Sequence, residues 1–212
     1  MTRAALLGAL IASSSAYANL ITVNPGFETP LVNGPNAASG YAYRFTGDAG
    51  WGWATGSRGA VQFNSTYAPG NVQGVGDGNQ SEHLELAGDY IEQTIGLTIG
   101  QNYSLSFLLA SYQPPGTSSL KVSISGVGDS FLAGGSSWAA QSLSFTAAVA
   151  STAIRFTNNN TSGVFTYPHL DKISLDPASV PAPATLALVG TGLVALAWSR
   201  RRRVAAAAQA ES

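Results

Sequence analysis

Tyr103-Ser104-Leu105-Ser106-Phe107-Leu108-Leu109 is the stretch whose reading decides the fold. Successive side chains of an extended chain point to opposite faces. Tyr103, Leu105, Phe107 and Leu109 therefore share one face, and Ser104 and Ser106 share the other. One face is apolar and one is wet, as in a half-buried strand. The pattern repeats on both sides of this stretch. Leu120, Val122 and Ile124 alternate with Lys121 and Ser123. Leu143 with Phe145, Ile154 with Phe156, and Ile173 with Leu175 continue it downstream. Upstream, strands are expected at Leu20–Val23, Val61–Phe63, His83–Leu86 and Tyr90–Ile95, with Leu84 and Leu86 on one face. Asn24-Pro25-Gly26 and Asp77-Gly78-Asn79 read as turns. No helical period runs between Asn19 and Asp176, so a parallel α/β fold with crossover helices is excluded. About eight or nine strands of this kind predict an all-β fold, an antiparallel β-sandwich of jelly-roll type.

Outward from that domain, both ends read as handling segments. Residues 1–18 carry Arg3, an apolar run from Ala4 to Ala12, and an A-x-A site at Ala16-Tyr17-Ala18. This predicts a signal peptide, with cleavage after Ala18 and a mature start at Asn19. An uncleaved N-terminal anchor is the rival, but its apolar core is too short. Residues 19–179 form the exported domain. Residues 180–203 hold a proline motif, an apolar run from Leu186 to Trp198, and Arg200, Arg201, Arg202 and Arg203. From Thr185 to Trp198 there is no charge. At about 1.5 Å per residue that run spans roughly 20 Å, short for a transmembrane helix unless Ala182 and Ala184 join it. The arginines hold their end in the cytoplasm, which leaves 204–212 as a short cytoplasmic tail.

Composition narrows the partners. There is no cysteine, so packing alone holds the domain even though export permits disulfides. The formal charge is −1, but Arg200 to Arg203 lie outside the domain. Within it only Arg44, Arg58, Lys121, Arg155 and Lys172 face the acids, all of which except Glu211 lie there. A mildly acidic domain is not a nucleic-acid binder.

Two clusters invite a functional reading. Tyr41, Tyr43, Phe45, Trp51 and Trp53 crowd a glycine-rich segment, with Arg44, Asp48 and Arg58 nearby. Aromatic rings stack on the apolar faces of sugars, so Tyr41, Tyr43, Trp51, Trp53 and Arg58 are the candidate ligand-binding residues. The alternative is that the two tryptophans plug the sandwich or cover a sheet edge. Glu82, His83 and Glu85 form the other cluster. With only His83 and His169 in the chain and no nucleophile elbow, they read as solvated positions on exposed strand faces, and no catalytic residue is assigned.

The tail resembles the PEP-CTERM sorting signal of bacterial envelope proteins. Val180, Pro181, Pro183 and Thr185 carry the motif, with Ala182 where the commonest version has Glu, and Arg200 to Arg203 form its basic end. The resemblance implies export through the inner membrane of a Gram-negative-type bacterium and processing by an exosortase-type membrane enzyme. It also implies delivery to the cell envelope, cell surface or an extracellular polysaccharide matrix.

The domain resembles the carbohydrate-binding, galactose-binding-like jelly-roll modules. Asn24-Pro25-Gly26-Phe27-Glu28 is similar to their opening motif, and Gly100-Gln101-Asn102-Tyr103-Ser104-Leu105-Ser106-Phe107 to a central strand. Trp138 followed by Leu143-Ser144-Phe145-Thr146-Ala147, and Leu170-Asp171-Lys172-Ile173-Ser174-Leu175, are similar to two later segments. In such modules acids on the first and last strands help hold a structural calcium, which here implies Glu28 and Asp171, with carbonyls and Asp176 completing the shell. Together the resemblances imply a non-enzymatic exported module that binds or organises extracellular polysaccharide. Two alternatives stay open: a structural matrix glycoprotein that binds no sugar, and a glycan hydrolase using Glu82 or Glu85.

Overall fold

The computed structural model of the chain describes residues 19–32, 40–64, 75–112, 117–161 and 166–178. The expected signal peptide, proline motif, transmembrane helix and arginine cluster lie outside the described residues.

Two antiparallel sheets stack face to face. One has six strands, in the order β1 (Tyr41–Arg44), β3 (Ala60–Asn64), β4 (Gln80–His83), β11 (Tyr167–Pro177), β6 (Asn102–Tyr112) and β9 (Ala139–Thr146). The other has five, in the order β2 (Ala54–Thr55), β5 (Tyr90–Gly96), β10 (Ser151–Asn158), β7 (Ser118–Ile124) and β8 (Gly128–Gly134). From β4 to β7 successive strands change sheet, and they do so again from β8 to β11. This is the jelly-roll path that the alternation predicts.

The opening stretch becomes β6, and its apolar face, Tyr103, Leu105, Phe107 and Leu109, is buried. Leu120, Val122 and Ile124 of β7, Ile154 and Phe156 of β10, and Leu170, Ile173 and Leu175 of β11 meet it in one core. Burying side chains of this size contributes about 1.5–3 kcal/mol each, which is how a chain without disulfides holds two sheets together.

Three expectations need correction. Leu20–Val23 is not a strand. Its one ladder bond is Leu20 N–H to Leu175 O at 2.8 Å. The Asn19 side chain makes the neighbouring bonds, accepting from Leu175 N–H at 2.9 Å and donating to Ile173 O at 3.1 Å. Leu84 and Leu86 do not share a fate either: Leu84 is in the core, while Leu86 lies beyond the end of β4 and is exposed. Finally, β1, β2 and β8 are strands that no expectation named.

Candidate functional site

The two acids at opposite ends of the domain sequence do come together. Glu28 Oε1 accepts from the backbone N–H groups of Asn79 at 2.7 Å and Gln80 at 3.1 Å. Asp171 Oδ2 accepts from Asp77 N–H at 2.7 Å, and Oδ1 from Lys172 N–H at 2.6 Å. The expected turn at 77–79 is therefore the strap between the two carboxylates. Its glycines are required. Gly78 sits at φ +63°, and a Cβ there would strike Glu28 Oε1 at 2.2 Å; a Cβ at Gly76 would press on Asp171 Oδ2 at 3.1 Å.

Burial pushes the Asp171 carboxyl up to about 7, against the pull of the Asp77 and Lys172 N–H groups, and the nearby Glu28 charge adds to the rise. A buried Asp171 and a half-buried Glu28, tied by one exposed 77–79 turn, are oxygen donors of the kind a hard cation takes. Among the described residues no group of three or more His, Cys, Asp or Glu converges. Asp176 does not join, because it lies five residues along β11, about 16 Å at about 3.3 Å per residue, and accepts from Ser174 Oγ.

The aromatic cluster divides. Trp51 and Trp53 are core, 0% and 1% exposed, and cannot stack on a ligand. Both rings lean on Phe27, at 5.9 and 5.7 Å, and Trp53 Nε1 donates to Asn24 O at 3.0 Å. Their apolar area is worth more inside than on a rim. Arg58 turns away to Asp89 Oδ1 at 3.0 Å and Ala87 O at 3.2 Å.

Tyr41 and Tyr43 stay on the outer face of the six-stranded sheet. Their rings meet edge to face at 6.1 Å, and the Tyr43 hydroxyl donates to Glu85 Oε2 at 3.1 Å. Tyr43 is 43% exposed. Register places Tyr41 opposite Phe63, and Tyr43 in a row with Val61, His83 and His169. Phe63 lies 4.2 Å from His83, Tyr167 lies 5.3 Å from His83, and Trp138 lies 4.8 Å from His169. Sequence reading missed Phe63, Tyr167, Trp138 and His169 as members of this face.

Glu82 and His83 are not solvated: both are buried, which corrects the expectation. His83 points to the outer, aromatic face and Glu82 to the inner one, opposite Gln62 and Leu170. Burial, with His169 beside it, holds His83 neutral well below the usual imidazole range. Burial alone takes His169 down to about 3, and its Nε2 lies 2.8 Å from Ser81 Oγ. Burial raises the Glu82 carboxyl well above its ordinary range, against smaller opposing pulls from Val61 N–H and Arg44. Glu82 and Glu85, three apart on an extended path, point to opposite faces. They cannot flank one glycosidic bond as an acid and base pair must.

Residues 21–176 match the family described as Protein of unknown function (DUF642). The chain belongs to that family. Directly after the DUF642 domain, residues 179–203 match the PEP-CTERM protein-sorting motif, which marks the chain for export and sorting to the cell envelope. A search of the curated proteins finds no match. Among solved structures, TmCBM61 in complex with beta-1,4-galactotriose is similar at 15% identity, covering 76% of this chain and 99% of that one, TM-score 0.47. A CBM4 structure is similar at 18% identity, covering 73% and 97%, TM-score 0.41. A CBM22-1 xylan-binding domain from Paenibacillus barcinonensis is similar at 9% identity, covering 66% and 94%, TM-score 0.43.

The DUF642 domain also holds its opening segment with a set of polar side chains, of which the sequence reading named only Arg44. Gln62 Nε2 donates to Phe27 O, and Gln80 Nε2 donates to Phe27 O at 3.0 Å and Pro30 O at 3.3 Å. Arg44 donates through Nη2 to Leu31 O at 2.8 Å and through Nε to Gln62 Oε1 at 2.6 Å. Gln80 Oε1 accepts from Val32 N–H at 2.6 Å. Residues 24–32 thus cover the inner face of β1, β3 and β4. Glu28 lies within this segment, so the clasp also fixes where that carboxylate stands.

Proposed function

We propose that this chain is an exported, surface-sorted, non-catalytic module that binds or organises extracellular polysaccharide after an exosortase-type enzyme has processed its tail. One observation supports the binding role above the rest. The Tyr43 ring is exposed while its hydroxyl is anchored on Glu85 and its edge on Tyr41. A fixed, partly exposed ring with a polar partner at its tip packs on a sugar at low entropic cost. The test is migration of the full-length chain, in mild detergent, through gels containing the host's matrix polysaccharide. Retardation is expected, with Tyr43→Ala weakened by about tenfold, the range of an interface anchor. A parent chain that runs unretarded, or a Tyr43→Ala chain retarded as strongly as the parent, refutes this role.

The same reading gives Glu28 and Asp171 a structural calcium. The ion would supply no chemistry; it would cancel the repulsion of the two carboxylates and lock the 76–80 strap. At about 100 times its Kd a ligand that binds only the folded state adds about 2.7 kcal/mol. For a domain of this size that raises Tm by roughly 5–10 °C. A melting curve that is identical in calcium and in chelator removes the ion from the account.

A further inference from the structure

We propose that the outer face of the five-stranded sheet is a second glycan site, built for an uncharged chain lying across the strands. It borrows only its ligand class from the reading above, since it lies on the sheet that does not carry Tyr41 and Tyr43. A groove of about 760 Å³ opens there.

Register assembles its floor from four strands. One row runs Glu92, Arg155, Ser123, Asp129 across β5, β10, β7 and β8. The next runs Tyr90, Thr157, Lys121, Phe131. Three strand spacings of about 4.8 Å separate the ends of each row, about 14 Å in all. Tyr90, which lines the groove, therefore stands at one end of its row, and Phe131, two residues past the groove-lining Asp129 on β8, stands just outside the groove at the other. Phe131 is 65% exposed on an edge strand.

The charges select the ligand. Arg155 Nε bonds Glu92 Oε2 at 2.7 Å, and its guanidinium lies 4.0 Å over the Tyr90 ring. Lys121 Nζ faces Asp129 Oδ2 at 3.9 Å. The four formal charges cancel, and each already has a partner. An acidic polymer would find no unopposed cation and would have to break a pair to gain one. Sugar hydroxyls, which both donate and accept, can add to paired charges without separating them. Phe131 then takes the apolar face of a sugar unit at one end, and the Arg155–Tyr90 stack bounds the chain at the other. The floor is held in place before binding, so little ordering is lost when the chain lies down.

The experiment is affinity electrophoresis of the full-length chain in mild detergent. The neutral probes are β-1,4-galactan, xylan and dextran, and the acidic probe is alginate. At least one neutral polymer should retard the parent. Phe131→Ala should bind it about tenfold more weakly with Tm unchanged, because this side chain is mostly in solvent. Arg155→Lys, which keeps the charge but loses the planar fork over Tyr90, should weaken it severalfold. Binding should vary little between about 0.05 M and about 0.5 M salt, where screening changes strongly. Loss in Tyr43→Ala with full binding in Phe131→Ala keeps the polysaccharide reading and overturns this site. Loss in Phe131→Ala alone keeps this site and overturns the role of Tyr43. Retardation by alginate only, or a steep salt dependence, overturns the neutral-chain assignment, and no retardation by any probe overturns both.

Discussion

Trp53→Ala is expected to destabilise the domain by about 3–5 kcal/mol, the cost of removing the largest buried side chains. The ring touches both parts of the core. It lies 5.7 Å from Phe27 of the opening segment and 6.3 Å, edge on, from Phe156 of β10. Its Nε1 also satisfies Asn24 O. Asn24 in turn accepts Thr29 N–H at 2.9 Å through Oδ1 and donates to Trp51 O at 3.1 Å through Nδ2. Alanine would leave a cavity and an orphan carbonyl at the joint that fixes residues 24–32. For a domain of ordinary stability, about 5–15 kcal/mol, that is a large share. Tm should fall by roughly 10 °C or more. Trp53→Phe should keep most of the packing and lose about 1 kcal/mol with the hydrogen bond. Urea unfolding followed by far-UV circular dichroism measures both. An alanine variant with the parent's midpoint would put Trp53 back on the surface as a ligand platform.

That prediction marks where the sequence stops being legible. Strands buried on one face announce themselves, and β6, β7 and β10 were readable from their period of two. Trp51-Gly52-Trp53 was not readable in the same way, because an aromatic pair in a glycine-rich segment is equally suited to a core plug and to a binding rim. What decides it is Gly52 at φ +77°, where a Cβ would collide with Val23 Cγ1 at 2.1 Å. The opening segment passes close at that point, and its Phe27 packs against both rings. Nor could β4 be read. Gln80-Ser81-Glu82-His83 looks like a wet strand, yet all four residues are buried. One face is covered by residues 24–32, about fifty positions away in sequence, and alternation carries no information about such a cover. The pairing of Glu28 with Asp171 was legible only through resemblance to other modules. The groove residues Tyr90, Lys121, Asp129 and Arg155 are scattered over four strands, and only register brings them together.

Glu82 yields the other large effect, and its sign follows from burial. The residue is 0% exposed, and neither carboxyl oxygen meets full hydrogen-bond geometry among the described residues, Val61 N–H and Arg44 exerting only the smaller pulls already named. Burial raises its folded pKa well above the 4.5 of a free carboxyl. Between those two values the folded state keeps a proton that the unfolded chain has released. Stability must then fall as pH rises, by up to about 1.4 kcal/mol per unit. Below about 4.5 both states are protonated and Glu82 contributes no pH dependence. Glu82→Gln is nearly isosteric and does not titrate, so the comparison isolates this one group. Relative to the parent, the glutamine variant should gain about 1.4 kcal/mol per pH unit from about pH 4.5 upward, and level off above the folded pKa. The absolute difference at low pH is not the test, since the amide inherits the same unpartnered position. The test is the slope of the difference, taken from urea midpoints at several pH values. A flat difference from pH 4.5 to pH 8 would mean that Glu82 is ionised in the folded protein. Arg44, which lies near it on the inner face and already donates to Leu31 O and Gln62 Oε1, would then have to supply the missing partner. The clasp on residues 24–32 would rest on an ion pair rather than on neutral hydrogen bonds.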